Sequence, residues 1–159
     1  MTLGEFEQAA DLLSRQTSVQ GLLAETCREL VDLLDGSACA ISRVVGDLLV
    51  GLEEYARTSQ RPLEIGHEYL ISDYPLTQEV VVEREPRRVS LLEAEPEANE
   101  AALLQRLGFD SLLMVCLPAA GGCWGLVEVY AQASRFDENQ ARLAEQVAAI
   151  AGRRLEQLI

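Results

Sequence analysis

The sequence predicts an α+β fold in which an antiparallel sheet is covered by helices from both ends of the chain. Three observations carry this. The two clearest β regions are each a pair of runs joined by a turn with no room for a crossover, which makes each pair antiparallel. Helical periodicity marks both chain ends. The elements follow the order helix, helix, hairpin, long loop with helix, strand, helix, hairpin, helix. The 159 residues suit one ordinary domain of roughly 100 to 200 residues, so 1–159 is read as a single unit with its first helix in 1–18 and its last in 137–159.

Leu3, Phe6, Ala10 and Leu13 recur at three and four, a first helix with a narrow apolar seam. From Val19 to Leu34, Leu22, Leu23, Cys27, Leu30, Val31 and Leu34 make a broad stripe, ended by Asp35-Gly36 with the glycine as terminator. Ala38 to Val45 and Leu48 to Arg57 form a hairpin around Gly46-Asp47. Residues 58–74 hold Pro62 and Gly66 and no sustained period, so they read as a long surface connection of the kind that carries function. Pro75 opens a helix that continues from Thr77 to Arg84, and Pro86 stops it. Arg87 to Leu91 is a short strand. Glu93 to Glu100 is acidic and broken by proline, and Ala101 to Leu107 is a short helix ended by Gly108. Leu112 to Leu117 and Trp124 to Tyr130 make a second hairpin around Pro-Ala-Ala-Gly-Gly. Asp137 with Gln140 sets up a capping box for the last helix, with Phe136 as hydrophobic staple. Along it Ala144, Ala148, Ala151, Leu155 and Leu158 form a coiled-coil-like seam, beside a bulkier stripe of Leu143, Val147 and Ile150.

Composition narrows the function classes. All 13 positive residues are Arg, against 26 acidic ones. Without Lys, Schiff-base chemistry and a P-loop lysine are excluded. A net charge of −13 argues against nucleic acid or an anionic membrane as partner. The start lacks the basic and apolar regions of a secretory signal, and the longest uncharged stretch, 111–127, is broken by Pro118, Gly121 and Gly122, which predicts a cytoplasmic protein. Cys27, Cys39, Cys116 and Cys123 follow no zinc or thioredoxin-like spacing and read as buried thiols.

The ordered set GSACAISRVV, YPLTQEVVVEREPRRVS and LQRLGFDSLLMVCLP…GCWGLVEVYAQASRFDENQARLAEQVAAIA resembles a bacterial GAF domain over about Gln20 to Leu158. That resemblance implies a twisted antiparallel sheet with the terminal helices on one face. On the other, it implies a small-molecule pocket under the loop and short helices of the middle third. The chemistries known in the family make different demands on these residues. Bilin-binding members attach their chromophore at a Cys commonly followed by His. Here the four Cys precede Arg28, Ala40, Leu117 and Trp124, so the thioether site finds no support. Haem-binding members need an axial His, for which His67 alone is available and reads as an ordinary loop residue. The cyclic-nucleotide signature Asn-Lys…Phe…Asp-Glu is half present, as Phe136-Asp137-Glu138, with no Lys to complete it and Arg87 and Arg88 as the nearest phosphate partners. A methionine sulfoxide reductase branch would need reactive thiols, and Cys116 sits in an apolar run that suppresses reactivity.

The expected ligand residues are His67, Tyr69, Tyr74, Thr77, Gln78, Met114, Trp124 and Glu128. Strand alternation puts Glu128 on one side with Trp124, Leu126 and Tyr130, either inside an aromatic-lined cleft or on an outward face. The resulting expectation is a non-catalytic sensory domain for an unidentified small molecule, without haem or bilin and without a metal. It would be a homodimer through Leu3, Phe6, Ala10, Leu13, Ala144, Ala148, Ala151, Leu155 and Leu158, relaying occupancy to an output domain such as a kinase, cyclase or phosphodiesterase. The alternatives are a ligand-free dimerisation module and the sulfoxide reductase. Packing on the sheet would equally use up both helical seams and leave a monomer.

Overall fold

The computed structural model describes residues 2–58 and 68–159. Helix α1 (Leu3–Ser14) opens with a capping box between Thr2 and Glu5, and α2 (Val19–Leu34) is capped by Ser18. Strands β1 (Ala38–Val45) and β2 (Leu48–Ala56) form the expected hairpin. A short strand β3 (Glu68–Leu70) and a single 3-10 turn (Ile71–Asp73) lead into α3 (Pro75–Glu83). Then come β4 (Arg87–Ser90), α4 (Ala98–Leu107), β5 (Ser111–Ala119), β6 (Gly122–Ala131) and α5 (Glu138–Leu158).

Among the described residues the strands form one antiparallel sheet in the order β3-β2-β1-β6-β5-β4. Helices α1, α2 and α5 cover one face, burying Leu13, Leu22, Leu30, Ile41, Leu113, Val127, Val129 and Leu155 between them. On the other face α3 and α4 lie over Leu112, Met114, Leu126 and Tyr130. The alternation of β5 and β6 explains the split, since odd-numbered residues from 113 to 117 and 127 to 131 go to the first cluster and even-numbered ones to the second. Both strands are therefore buried on both sides.

Five sequence expectations need correcting. The β5–β6 connection is a two-residue turn, Ala120-Gly121, both at positive φ, so the strands run further than the Pro-Ala-Ala-Gly-Gly loop suggested. Helix α4 starts at Ala98 because the Glu97 side chain accepts the Glu100 N–H and caps it, which brings the last three residues of the acidic stretch, 98–100, into the helix and leaves 93–97 irregular as expected. Part of the 58–74 connection is the strand β3, paired with Leu48, Leu49 and Val50 of β2. The left-handed residue that ends α2 is Asp35, at φ 51°, and Gly36 serves a different purpose: a Cβ there would lie 3.0 Å from Val129 Cγ1 and 3.2 Å from the Tyr130 carbonyl.

The fifth concerns the helical seams. Leu13, Ala144, Ala148, Ala151 and Leu155 are fully buried within the protomer, in the cluster shared by α2, α5 and the sheet, and so are not offered to a second copy. Phe6 and Leu158 pack partly against the same cluster and Ala10 is half-buried, while Leu3 is 72% exposed. The alanines are small because α5 lies close to β5, and Gly152 shows how close: a Cβ at that position would overlap the Pro118 carbonyl. Among the described residues no helix is long and apolar enough to cross a membrane. Gly152→Ala is expected to destabilise the fold by about 1–3 kcal/mol, because the clash is with backbone that cannot rotate away. Urea denaturation would show it as a lowered midpoint at an unchanged slope.

Candidate functional site

The face beneath α3 and α4 carries several buried polar groups. Thr77, on the first turns of α3, points inward, and its Oγ1 donates to Glu100 Oε1 at 2.7 Å and lies 3.3 Å from Met114 Sδ. Glu100 is 1% exposed. Its position on α4 one turn before Leu103 and Leu104 puts all three on the inward side. From β6, Glu128 enters the same region, accepting a hydrogen bond from Tyr130 Oη at 2.9 Å. The Tyr130 ring stacks on Phe109 with centroids 5.1 Å apart. Tyr69 on β3 and Tyr74 before α3 meet edge to face at 6.1 Å, both half-buried, and Tyr69 packs against this cluster.

Burial pushes both carboxyl groups up. Glu128 is raised to about 7 by desolvation, only partly offset by the Tyr130 hydrogen bond. Glu100 is raised to about 7 by desolvation, opposed by the Thr77 hydrogen bond and reinforced by the charges of Glu128 and Glu97. The charge of Glu128 thus disfavours ionisation of Glu100, and neither carboxylate has an ion-pair partner among the described residues. Tyr130 is pushed upward as well, by burial first and then by Glu128. The arrangement offers two acid groups near neutrality, a hydroxyl and aromatic walls. It suits a ligand that brings N–H or O–H donors on an apolar frame.

Of the expected ligand residues, Tyr69, Tyr74, Thr77, Met114 and Glu128 belong to this one region. Gln78 does not, being exposed, since one step along a helix from inward-facing Thr77 turns it to solvent. Trp124 does not either. Leu117 pairs with Gly125 and Pro118 with Cys123, so Trp124 is the extra residue of a bulge and leaves the alternation that would have set it beside Glu128. It packs on the α1/α2/α5 side, under the Arg43 guanidinium 4.4 Å from its ring centroid. His67 lies outside the described residues. Glu100 was missed by the sequence reading, although a helix begun at Ala98 would have put it in register with Leu103 and Leu104.

The thiols fall into two pairs. Cys39 is wholly buried beside Cys27 and is pushed up by desolvation and by that neighbour. Cys116 is pushed up by its hydrogen bond with Cys123 and by burial, whereas Cys123, half-buried at the start of β6, is lowered by Cys116 and by the nearby Arg84. Among the described residues no group of three or more His, Cys, Asp or Glu is placed to hold a metal.

A family model for the GAF domain matches residues 18–155. No curated protein matches the chain. Among solved structures, the chromophore-binding domain of the Stigmatella aurantiaca bacteriophytochrome is similar at TM-score 0.80 and 14% identity, over 96% of this chain and 59% of that one. The chromophore-binding domain of an unusual bacteriophytochrome from R. palustris is similar at TM-score 0.83 and 11% identity, over 98% of this chain and 61% of that one. The far-red absorbing dark state of JSC1_58120g3 with bound biliverdin IXa is similar at TM-score 0.79 and 16% identity, over 96% of this chain and 98% of that one. This chain therefore spans about three fifths of the two bacteriophytochrome domains. At these identities the likeness is one of fold. It corrects the expectation that excluded a bilin: that expectation rested on a missing Cys-His pair, and the shared fold is one that holds biliverdin in JSC1_58120g3.

Two outcomes follow from the site. For Glu100 and Glu128 the folded-state values lie above the unfolded ones, so the folded protein binds more protons between about 4.5 and about 7 and stability falls as pH rises through that window. Glu29, also raised to about 7, adds to the same slope, so the measurement is a difference. Glu100→Gln with Glu128→Gln should flatten the pH dependence of the urea midpoint relative to wild type, and an unchanged slope would contradict the assignment. For the thiols, peptide mapping after brief iodoacetamide treatment at neutral pH should find Cys123 alkylated before Cys116 and Cys39. Prior labelling of either of those would reverse the order argued here.

Proposed function

This chain belongs to the GAF domain family, and from that premise we propose that it is a non-catalytic sensory module that takes a small molecule beneath α3 and α4. The observation that carries the proposal is the pair Glu100 and Glu128, set with Thr77 and Tyr130 among aromatic rings on the sheet face away from the terminal helices. A structural core gains nothing from two carboxyl groups whose proton affinity burial has raised. They cost stability whenever they ionise without a partner. A ligand bearing N–H donors would offset that cost by adding hydrogen bonds to the ionised carboxylates, and a ligand of this kind is the chemical class proposed. A bilin belongs to it, with pyrrole N–H groups on a planar apolar frame, and the tyrosines and Phe109 would supply ring faces for it. No covalent step is assigned.

Occupancy would bear on Met114 of β5 and on Glu128 and Tyr130 of β6, and through these strands on α2 and α5, which pack on the opposite face. We place the output, a second copy or a cytoplasmic partner domain, at the free ends of α1 and α5, where Leu3 is 72% and Ile159 58% exposed. Met114, Leu112 and Leu126, at 0 to 1% exposure, favour one competing reading, a module whose own side chains fill this face.

A thermal-shift panel of amines, amides, nucleobases and biliverdin separates the two readings, because a ligand that binds only the folded state raises Tm by mass action. At least one donor-bearing compound should raise Tm saturably in wild type. The shift should be lost in Glu128→Gln, and Thr77→Val should weaken it. A flat response across the panel would favour the self-filled core. For biliverdin the absorption spectrum of the bound pigment gives a second readout independent of stability.

A further inference from the structure

A second cleft lies at the other edge of the sheet. Among the described residues strand β4 is an outer strand, paired only with β5, and alternate N–H groups along it are left unused by the sheet. Residues of β4 and of the segment leading into α5 form an open cleft of about 420 Å³ whose lining includes Arg87, Arg88, Glu93, Arg135 and Phe136. That volume lies within the range of small-molecule sites. Three of the chain's 13 arginines meet there, in a protein with a net charge of −13.

The three are not equivalent. Arg87 is used up: Nε bonds Glu79 at 2.9 Å, one terminal nitrogen bonds Glu83 at 2.6 Å and the other donates to the Pro86 carbonyl at 3.0 Å. Arg88 projects to the opposite side of β4 from Val89, and its NH1 donates to the Phe136 carbonyl at 3.0 Å. Arg135 donates through NH2 to the Leu92 carbonyl at 3.2 Å. Both are held by neutral acceptors, and among the described residues neither makes an ion pair. A guanidinium has five N–H donors in a planar fork, so each retains most of its donors and its full charge.

Nearby carboxylates are largely committed. Asp137 caps α5 through the Gln140 N–H, and Glu138, which feels the charge of Arg88, is bonded to Arg142 at 2.8 Å. Glu93 is the acidic group in the lining itself.

We propose that this cleft binds a small anion through carboxylate or phosphate oxygens, with Arg88 and Arg135 as its two charged ligands. Two forks anchored by backbone carbonyls present planar donor sets that match either group bidentately. Because the protein as a whole repels anions, the affinity must come from these local contacts and not from long-range attraction. The anion would bridge β4 to the residues just before the α5 cap, so it reports to the C-terminal helix from a position separate from the carboxyl pair beneath α3 and α4.

The test is a titration of ¹⁵N-labelled protein with inorganic phosphate in one arm and succinate in the other, at constant ionic strength set with chloride. Saturable amide shifts confined to residues 86–93 and 134–138 are expected in at least one arm, and which arm responds tells phosphate from carboxylate recognition. Arg88→Gln and Arg135→Gln should each weaken binding by about tenfold or more. Both side chains are exposed, and an unchanged Tm would confirm that the fold is intact. Glu128→Gln should leave the shifts unchanged, which separates this site from the other one. Linear, unsaturable shifts in both arms, or saturable binding that survives in the double arginine variant, would overturn the proposal.

Discussion

Strand β6 lies between β1 and β5 and is covered on both faces, so from Leu126 onward its side chains are buried, Glu128 only partly. That constraint organises the protein. Val127, Val129 and Ala131 must be apolar because they meet α2 and α5, and Leu126 and Tyr130 must fit beneath α3 and α4. A carboxylate at position 128 is the exception. Its ring-hydroxyl partner is two residues away on the same strand, the spacing that keeps both side chains on one face. Tyr130 is thus both a wall of the core, through its stack on Phe109, and the donor that makes Glu128 tolerable.

The two faces solve the burial problem differently. On the side of the terminal helices the solution is small size: Ala141, Ala144, Ala148, Ala151 and Gly152 let α5 approach the sheet, and bulk comes from Leu13, Leu22, Leu30 and Leu155. This face tolerates little change of volume. On the other side the solution is mixed, with Met114 as a deformable filler and Thr77, Glu100, Glu128 and Tyr130 as hydrogen-bonding groups. Protonation of the two carboxyls alters that side without altering its volume, because it exchanges repulsion for two additional donors. The adaptable chemistry and the rigid packing therefore sit back to back across one layer of sheet.

Much of this was legible in the residues. Period 2 in 112–117 and 126–131 assigns each side chain to its cluster, and the spacing of the terminal helices locates their buried stripes. What failed did so for local reasons. Strand β3 is three residues long, too short for alternation to register, and the sequence before it holds Pro62 and Gly66 and no sustained period. Trp124 was misplaced because one bulged residue shifts every inference drawn from parity, and neither neighbouring glycine declares which residue is the extra one. Glu100 was hidden by the Glu97 cap: a glutamate is an uncommon N-cap, so the helix was begun a turn late and its inward acid was left in a loop. The alanine seam was seen correctly as a packing surface and assigned to the wrong partner, since sequence spacing alone does not say whether a stripe meets a sheet or another chain.

The position of Glu128 on β6 also fixes how any event beneath α3 and α4 can reach the terminal helices. No helix of the two groups need touch: Val127 and Val129, the immediate neighbours of Glu128, lie in the same core cluster as the buried residues of α2 and α5. A change of χ angles at Glu128 would be absorbed locally, whereas a change in the twist or height of β6 would be felt through these valines at once. Close packing of α5 favours transmission of the second kind, because Gly152 against the Pro118 carbonyl leaves no slack in which a strand displacement could be lost. A coupling between the faces would therefore require the sheet to move as a body, and the close contact of α5 with β5 would tie the C-terminal helix to that motion.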